Sequence, residues 1–111
     1  MKDLNETIQL VELWFDQVGL TTKGDPIKQA EKGVEEAKEY LVACMVKDRE
    51  AMVDELGDKF VTLIGDSIIA DIPLDEALYF AYQKISNRVG KGCIVDGTFV
   101  KEEDLNNNNV Q

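Results

Sequence analysis

The sequence predicts an all-α protein, a bundle of four to five helices with a short hairpin near its C-terminal end. Three observations carry this expectation. Apolar residues recur at helical spacing through most of the chain. Asp25-Pro26 and Asp48 supply helix starts between the periodic segments. Asp96-Gly97, a two-residue turn signal, stands between short β-forming stretches, "CIV" and "TFV".

The elements follow in order. Leu4, Ile8, Val11, Phe15 and Val18 mark a first helix over residues 3 to 18, ended by Gly19 and "TTKGDP". Asp25 is an N-cap with proline at the first helical position, and Ile27, Ala30, Val34, Ala37, Leu41 and Cys44 trace the inner stripe of a second helix to residue 46. The turn is "KDR" at 47 to 49. Asp48 caps a third helix, with Glu50 in its first turn and the stripe Met52, Leu56, Phe60, Leu63, running to residue 70. "DIPLDEAL" restarts the pattern around Pro73, and Leu78, Ala81 and Ile85 lead a fourth helix to Gly90. The closing "EEDLNNNNVQ" reads as disordered. One domain is expected over residues 1 to 104, with a disordered tail at 105 to 111. "LVACMV" at 41 to 46 is apolar on every side and is expected to be buried. Gly57 is expected to admit a close helix approach.

Composition excludes several function classes. Twelve basic against 22 acidic residues, a net charge of -10, argue against binding a nucleic-acid polymer, which demands a clustered basic surface. Histidine is absent, so His-based triads, His general bases and the usual zinc ligands are excluded. Cys44 and Cys93 show neither a disulfide framework nor metal-ligand spacing and are expected to be reduced thiols, which points to the cytoplasm. The start "MKDLNETIQL" lacks an apolar signal core, and no stretch approaches the roughly 18 apolar residues of a membrane span. Hydrolytic chemistry is thereby left to carboxylates, hydroxyls, lysines or a metal ion.

The acidic residues are arranged for the last of these. Glu36 and Glu39 are i, i+3 neighbours, as are Glu55 and Asp58. If "KDR" joins an antiparallel hairpin, Glu39 and Glu55 lie roughly 12 Å and 9 Å from the turn at about 1.5 Å rise per residue, so the two pairs meet at nearly one height. Each like-charged pair would cost on the order of 4 kcal/mol at an effective dielectric near 20 unless neutralised. A divalent cation with an oxygen shell, Mg²⁺ above all, answers that cost. The alternative is a solvated acidic face, with Glu55 paired to Lys59 one turn on. The face through Ala51, Glu55, Asp58, Thr62 and Gly65 is small and otherwise uncharged, as a cavity wall would be.

"EEAKE" at 35 to 39, followed after fifteen residues by "ELGD" at 55 to 58, resembles the EExxE and ExxD motifs of the MazG-like, all-α nucleoside triphosphate pyrophosphohydrolases. "KISNRVGKGCIVDGTFVKEED" is similar to the C-terminal segment of the short MazG-like subgroup. The likeness spans residues 27 to 104. It implies the helical bundle of that superfamily, acidic motifs that hold Mg²⁺ with Mn²⁺ able to substitute, and hydrolysis of a (d)NTP to the monophosphate and pyrophosphate. Residue by residue, Glu36, Glu39, Glu55 and Asp58 match the metal ligands. Glu35 matches the first motif glutamate, with its role open between supporting a ligand, bridging ions and assisting water. Without histidine, Glu35 or Glu39 is the candidate proton acceptor.

For substrate binding, Lys84 and Arg88, with Asn87 and Lys91, form the densest basic cluster, either a phosphate clamp or a solvated helix end. The resemblance adds weight to the clamp. Trp14 is the candidate platform for a base, with Phe15 beside it pointing elsewhere; Tyr79 and Tyr82 are similar candidates. Helices apolar on more than one face predict a homodimer or homotetramer. Two other readings stand beside this one: a phosphoribosyl-ATP pyrophosphohydrolase-like enzyme, and a non-catalytic acidic helical interaction module.

Overall fold

The computed structural model describes residues 3–105, so the tail expected at 105–111 lies outside them from residue 106 on. The fold is mostly α-helical with a short C-terminal hairpin, as the periodicity predicts. It divides into two compact units, with the boundary between Leu74 and Asp75.

The first unit holds four helices: α1 (Leu4–Val18), α2 (Leu20–Lys23), α3 (Pro26–Met45) and α4 (Arg49–Ala70). Their ends follow the capping chemistry of the sequence. Asp3 accepts from the Glu6 amide at 2.8 Å. Asp25 accepts from the amides of Ile27 and Lys28 at 2.8 and 3.0 Å, with Pro26 opening the helix. Asp48 accepts from the Ala51 amide at 3.2 Å. Gly19 closes α1 in the left-handed region, where a residue without Cβ sits at little cost. The tight turn between α3 and α4 folds them into an antiparallel hairpin, pinned near its open end by Gln29, whose Nε2 donates to the Thr62 carbonyl at 3.3 Å. α1 and α2 pack against α4.

Which faces the hairpin buries differs from the expectation. The buried residues of α3 are Glu36 and Ala43, and those of α4 are Thr62, Ile64 and Gly65. The expected stripe of α3 instead lies largely in the open, with Val34 56% and Leu41 58% exposed, and on α4 Leu56 and Leu63 are likewise exposed. Ala30, Val34 and Ala37 of α3, with Leu56, Phe60 and Leu63 of α4, line an open groove of about 500 Å³. Within "LVACMV", Ala43 alone is buried, and Met45 is 72% exposed. Helical period identifies an apolar face; it does not say what covers it.

The glycines also differ from expectation. Gly57 meets nothing within 4 Å, so it admits no close approach. Gly65 does: a Cβ there would lie 2.9 Å from Phe15 Cζ and closer still to the Gln29 amide nitrogen, so the α1–α4 contact and the Gln29 hydrogen bond both depend on its bareness. Gly65→Ala is expected to destabilise by about 1–3 kcal/mol, the usual range for overpacking. Gly57→Ala should stabilise by up to about 1 kcal/mol, since it removes helix-interior glycine without a clash. Urea unfolding of the two variants checks the opposite signs.

The second unit contains α5 (Leu74–Ile85), a 3₁₀ turn (Ser86–Arg88) and strands β1 (Gly92–Val95) and β2 (Thr98–Lys101). The α-helix expected to reach Gly90 stops at Ile85. The Ser86 hydroxyl and the Asn87 amide both donate to the Gln83 carbonyl, at 3.0 and 3.4 Å, and this side-chain competition for a helical acceptor marks the change to a 3₁₀ turn. The strands pair antiparallel with Gly92 opposite Lys101 and Val95 opposite Thr98. Asp96 and Gly97 have φ of 50° and 87°, the two left-handed residues of a type I′ turn that the Asp-Gly pair announces. Residues 102–105, expected to be disordered, form a helical turn tied back by the Glu102 amide to the Lys91 carbonyl at 2.7 Å. Among the described residues no helix is long and apolar enough to cross a membrane.

Candidate metal centre

The hairpin brings the two acidic motifs together at the height that the rise per residue predicts. Ligand-capable oxygens of Glu36, Glu55 and Asp58 lie within 4.8 Å of one another, joining α3 to α4. Those of Glu35, Glu36 and Glu39 do the same along α3. Glu36 belongs to both groups, and it is the deeply placed member, 7% exposed, while Glu35 and Glu39 stand at the surface. Glu39 and Glu55 also flank an open groove of about 400 Å³ whose other walls include Val42, Ala43, Val46 and Ala51.

Two oxygens in this cluster are unsatisfied. Glu36 Oε2 and Glu55 Oε2 are buried and make no hydrogen bond. A buried carboxylate oxygen without a partner carries a desolvation cost of about 1–3 kcal/mol or more when charged. The predicted alternative for Glu55, an ion pair with Lys59, is not formed: Lys59 places its ammonium over the Tyr40 ring, 4.9 Å from its centroid. Burial, then the Asp54 charge, then that of Glu36 hold the Asp58 carboxyl above the usual carboxylate range, against a smaller opposing pull from Lys32. Orphaned hard oxygens of Glu36 and Glu55, converging from two helices beside Asp58, fit a divalent cation of the Mg²⁺ type, which prefers oxygen donors.

The cluster has a cationic neighbour that the sequence reading passed over. Lys32 Nζ lies 3.3 Å from Glu36 Oε1 and 3.4 Å from Glu35 Oε1. The Glu36 hydrogen bond, followed by the Glu35 charge, raises the Lys32 pKa above its ordinary value, so the ammonium stays charged through the neutral range. The signal was available as i, i+3 and i, i+4 spacing from Lys32 to the two glutamates.

The remaining candidates divide between the units. Trp14 is half exposed and packs edge-on against Phe15 at 5.0 Å, while Phe15 is core, as their adjacency predicts. Lys84, Asn87, Arg88 and Lys91 belong to the second unit. There Lys84 lies 5.5 Å from the Phe80 ring centroid and the Lys91 carbonyl receives the Glu102 amide. Tyr79 and Tyr82 stand 6.3 Å apart on α5 and are exposed. Cys44 and Cys93 are free thiols.

Burial also raises the Asp66 carboxyl above the usual range. For Asp58 and Asp66 alike, the folded chain holds the proton more tightly than the unfolded chain. Their stabilising contribution is therefore full below the ordinary Asp pKa of about 3.9 and is lost as pH rises through the elevated values. Chelator-treated protein is expected to gain stability as pH falls from neutrality toward that range, and Asp58→Asn and Asp66→Asn should each flatten the gain. Urea midpoints at several pH values test this, and variants that keep the full wild-type pH dependence would contradict it.

Comparison with protein-family models, with curated proteins and with solved structures finds no match to the chain.

Proposed function

We propose that the protein is a Mg²⁺-dependent nucleoside triphosphate pyrophosphohydrolase of the MazG-like kind, which hydrolyses a (d)NTP to the monophosphate and pyrophosphate. The observation that carries this reading is the pair of buried, unpartnered oxygens of Glu36 and Glu55 at the meeting of two acidic motifs. Glu36, Glu55 and Asp58 hold the cation from two helices, with Glu39 completing the set from the rim. Mg²⁺, or Mn²⁺ in its place, supplies neutralisation of the triphosphate and polarisation of a phosphoryl oxygen. The exposed carboxylates of Glu35 and Glu39 are placed at the surface of the cluster, where one accepts the proton of the attacking water. Lys84, Asn87, Arg88 and Lys91 as phosphate contacts and Trp14 as a base platform belong to the same proposal through the family resemblance.

The chain acts in this reading as a homodimer or homotetramer. Val34, Leu41, Leu56 and Leu63 are exposed apolar side chains along α3 and α4, and a second copy is the occupant whose matching apolar stripe covers them. Light scattering at micromolar concentration is expected to give a dimer or tetramer; a monomer would contradict it. The free thiols fit a reducing, cytoplasmic setting. The enzymatic reading is tested by pyrophosphate release across canonical and modified (d)NTPs and phosphoribosyl-ATP, with Mg²⁺ and with excess chelator. Turnover of at least one (d)NTP, lost in chelator, is expected; no cation-dependent turnover of any substrate would leave the acidic interaction module.

A further inference from the structure

We propose that Lys32 alternates between two partners, the Glu35 and Glu36 carboxylates when no divalent cation holds them and the substrate triphosphate when one does. The proposal rests on the cation-dependent hydrolysis proposed above and adds a phosphate-positioning residue to it.

The argument starts from the charge on Glu36. This carboxylate is 7% exposed and shared by both acidic groups, with Oε1 bound to Lys32 at 3.3 Å and Oε2 without a partner. A divalent cation on the same carboxylate would stand a few ångströms from the ammonium, and the repulsion between a double and a single positive charge at that separation is twice that between two unit charges. The two cannot share Glu36 at full strength. Lys32 is the one that yields: its side chain is 52% exposed and can return to water, whereas the Glu36 side chain is 9% exposed and is held in place by the helix pair.

The freed ammonium does not go far. Lys32 stands on α3 one turn before Glu36, so its four-carbon stem keeps the head beside the cluster while allowing it to turn outward. A triphosphate drawn to the cation brings anionic oxygens to that place. An ammonium suits the change of partner, because its three donors rotate freely and require no fixed fork geometry. Among the described residues Lys32 is the cation in contact with the cluster, which makes it the side chain that couples cation loading to phosphate binding.

The test uses Lys32→Met, which keeps most of the stem and removes the charge, and Lys32→Arg, which keeps the charge. Mn²⁺ binding to nucleotide-free protein is measured by the paramagnetic resonance of free Mn²⁺, and KM and kcat are measured with Mg²⁺ and the best (d)NTP. Lys32→Met is expected to bind Mn²⁺ several-fold more tightly, because a competing positive charge is gone. The same variant should raise KM about tenfold with a smaller change in kcat, the signature of a lost ground-state phosphate contact. Lys32→Arg should return Mn²⁺ affinity and KM part of the way to wild type. These effects have opposite signs, which a merely structural surface pair does not produce. Unchanged or weaker Mn²⁺ binding by Lys32→Met, or an unchanged KM, overturns the proposal while wild-type Mn²⁺ binding leaves the metal reading standing. A wild-type chain that binds no Mn²⁺ overturns both.

Discussion

Glu36→Gln is expected to lower pyrophosphate release by at least about a hundredfold, the scale on which removal of one preorganised electrostatic group weakens transition-state stabilisation. The metal-free fold should at the same time become more stable by about 1 kcal/mol, because a buried charge with an unpartnered oxygen is exchanged for a neutral amide of the same shape, while the half-exposed Lys32 that loses this partner keeps Glu35. The amide also brings N–H donors toward the orphaned Glu55 Oε2. Glu39→Gln makes the useful comparison. Glu39 is exposed, so its loss should abolish turnover with little change in metal-free stability. Asp58→Asn should behave like Glu36→Gln, as it removes a charge opposed by burial and by Asp54. Chemical unfolding in chelator, set beside turnover, separates these outcomes. If Glu36→Gln unfolds the chain, the carboxylate is a structural element and the cation assignment falls.

Ile64→Ala should have the largest effect on stability, a loss of about 2–5 kcal/mol from the removed transfer energy and the cavity left behind. Ile64 is 2% exposed, the largest fully buried side chain in the described chain, and it neighbours Gly65, where α1 and Gln29 press against α4. Few residues share the burden, since among the described residues Phe15 and Ala43 are the other buried apolar side chains. A loss near the top of the range would follow from a gap that so small a core relaxes poorly into. The denaturant midpoint at fixed chain concentration is the measurement, because assembly adds stability by mass action. A shift below about 1 kcal/mol would place the effective core elsewhere.

Much of this architecture is legible in the residues. Asp25-Pro26, Asp48 and Gly19 place helix ends through hydrogen bonds and φ values that the residue types themselves dictate, and Asp96-Gly97 specifies a type I′ turn by the same local logic. The meeting of Glu36 with Glu55 and Asp58 is legible too, because rise per residue and a short turn fix the height of each residue on an antiparallel pair. Which face of α3 turns toward α4 is not. Ile27, Val34 and Leu41 form the more apolar stripe, yet the seam is built on Glu36, Ala43 and Thr62, so pattern alone points to the wrong side. Apolarity reports that a face is to be covered, but not by which neighbour. Gly57 and Gly65 show the same limit: equal in sequence, they differ in the side chains that arrive from α1 and α3. Lys32 escaped because a search for phosphate contacts favours clusters of cations, whereas its role comes from two particular carboxylates one turn away.

The central claim, a cation-dependent cleavage that releases pyrophosphate as a unit, is tested most directly by ³¹P nuclear magnetic resonance of a (d)NTP incubated with the protein and Mg²⁺. The predicted result is a monophosphate and free pyrophosphate in equal amounts, with no reaction in excess chelator. A diphosphate with orthophosphate, or hydrolysis that continues undiminished in chelator, would contradict it.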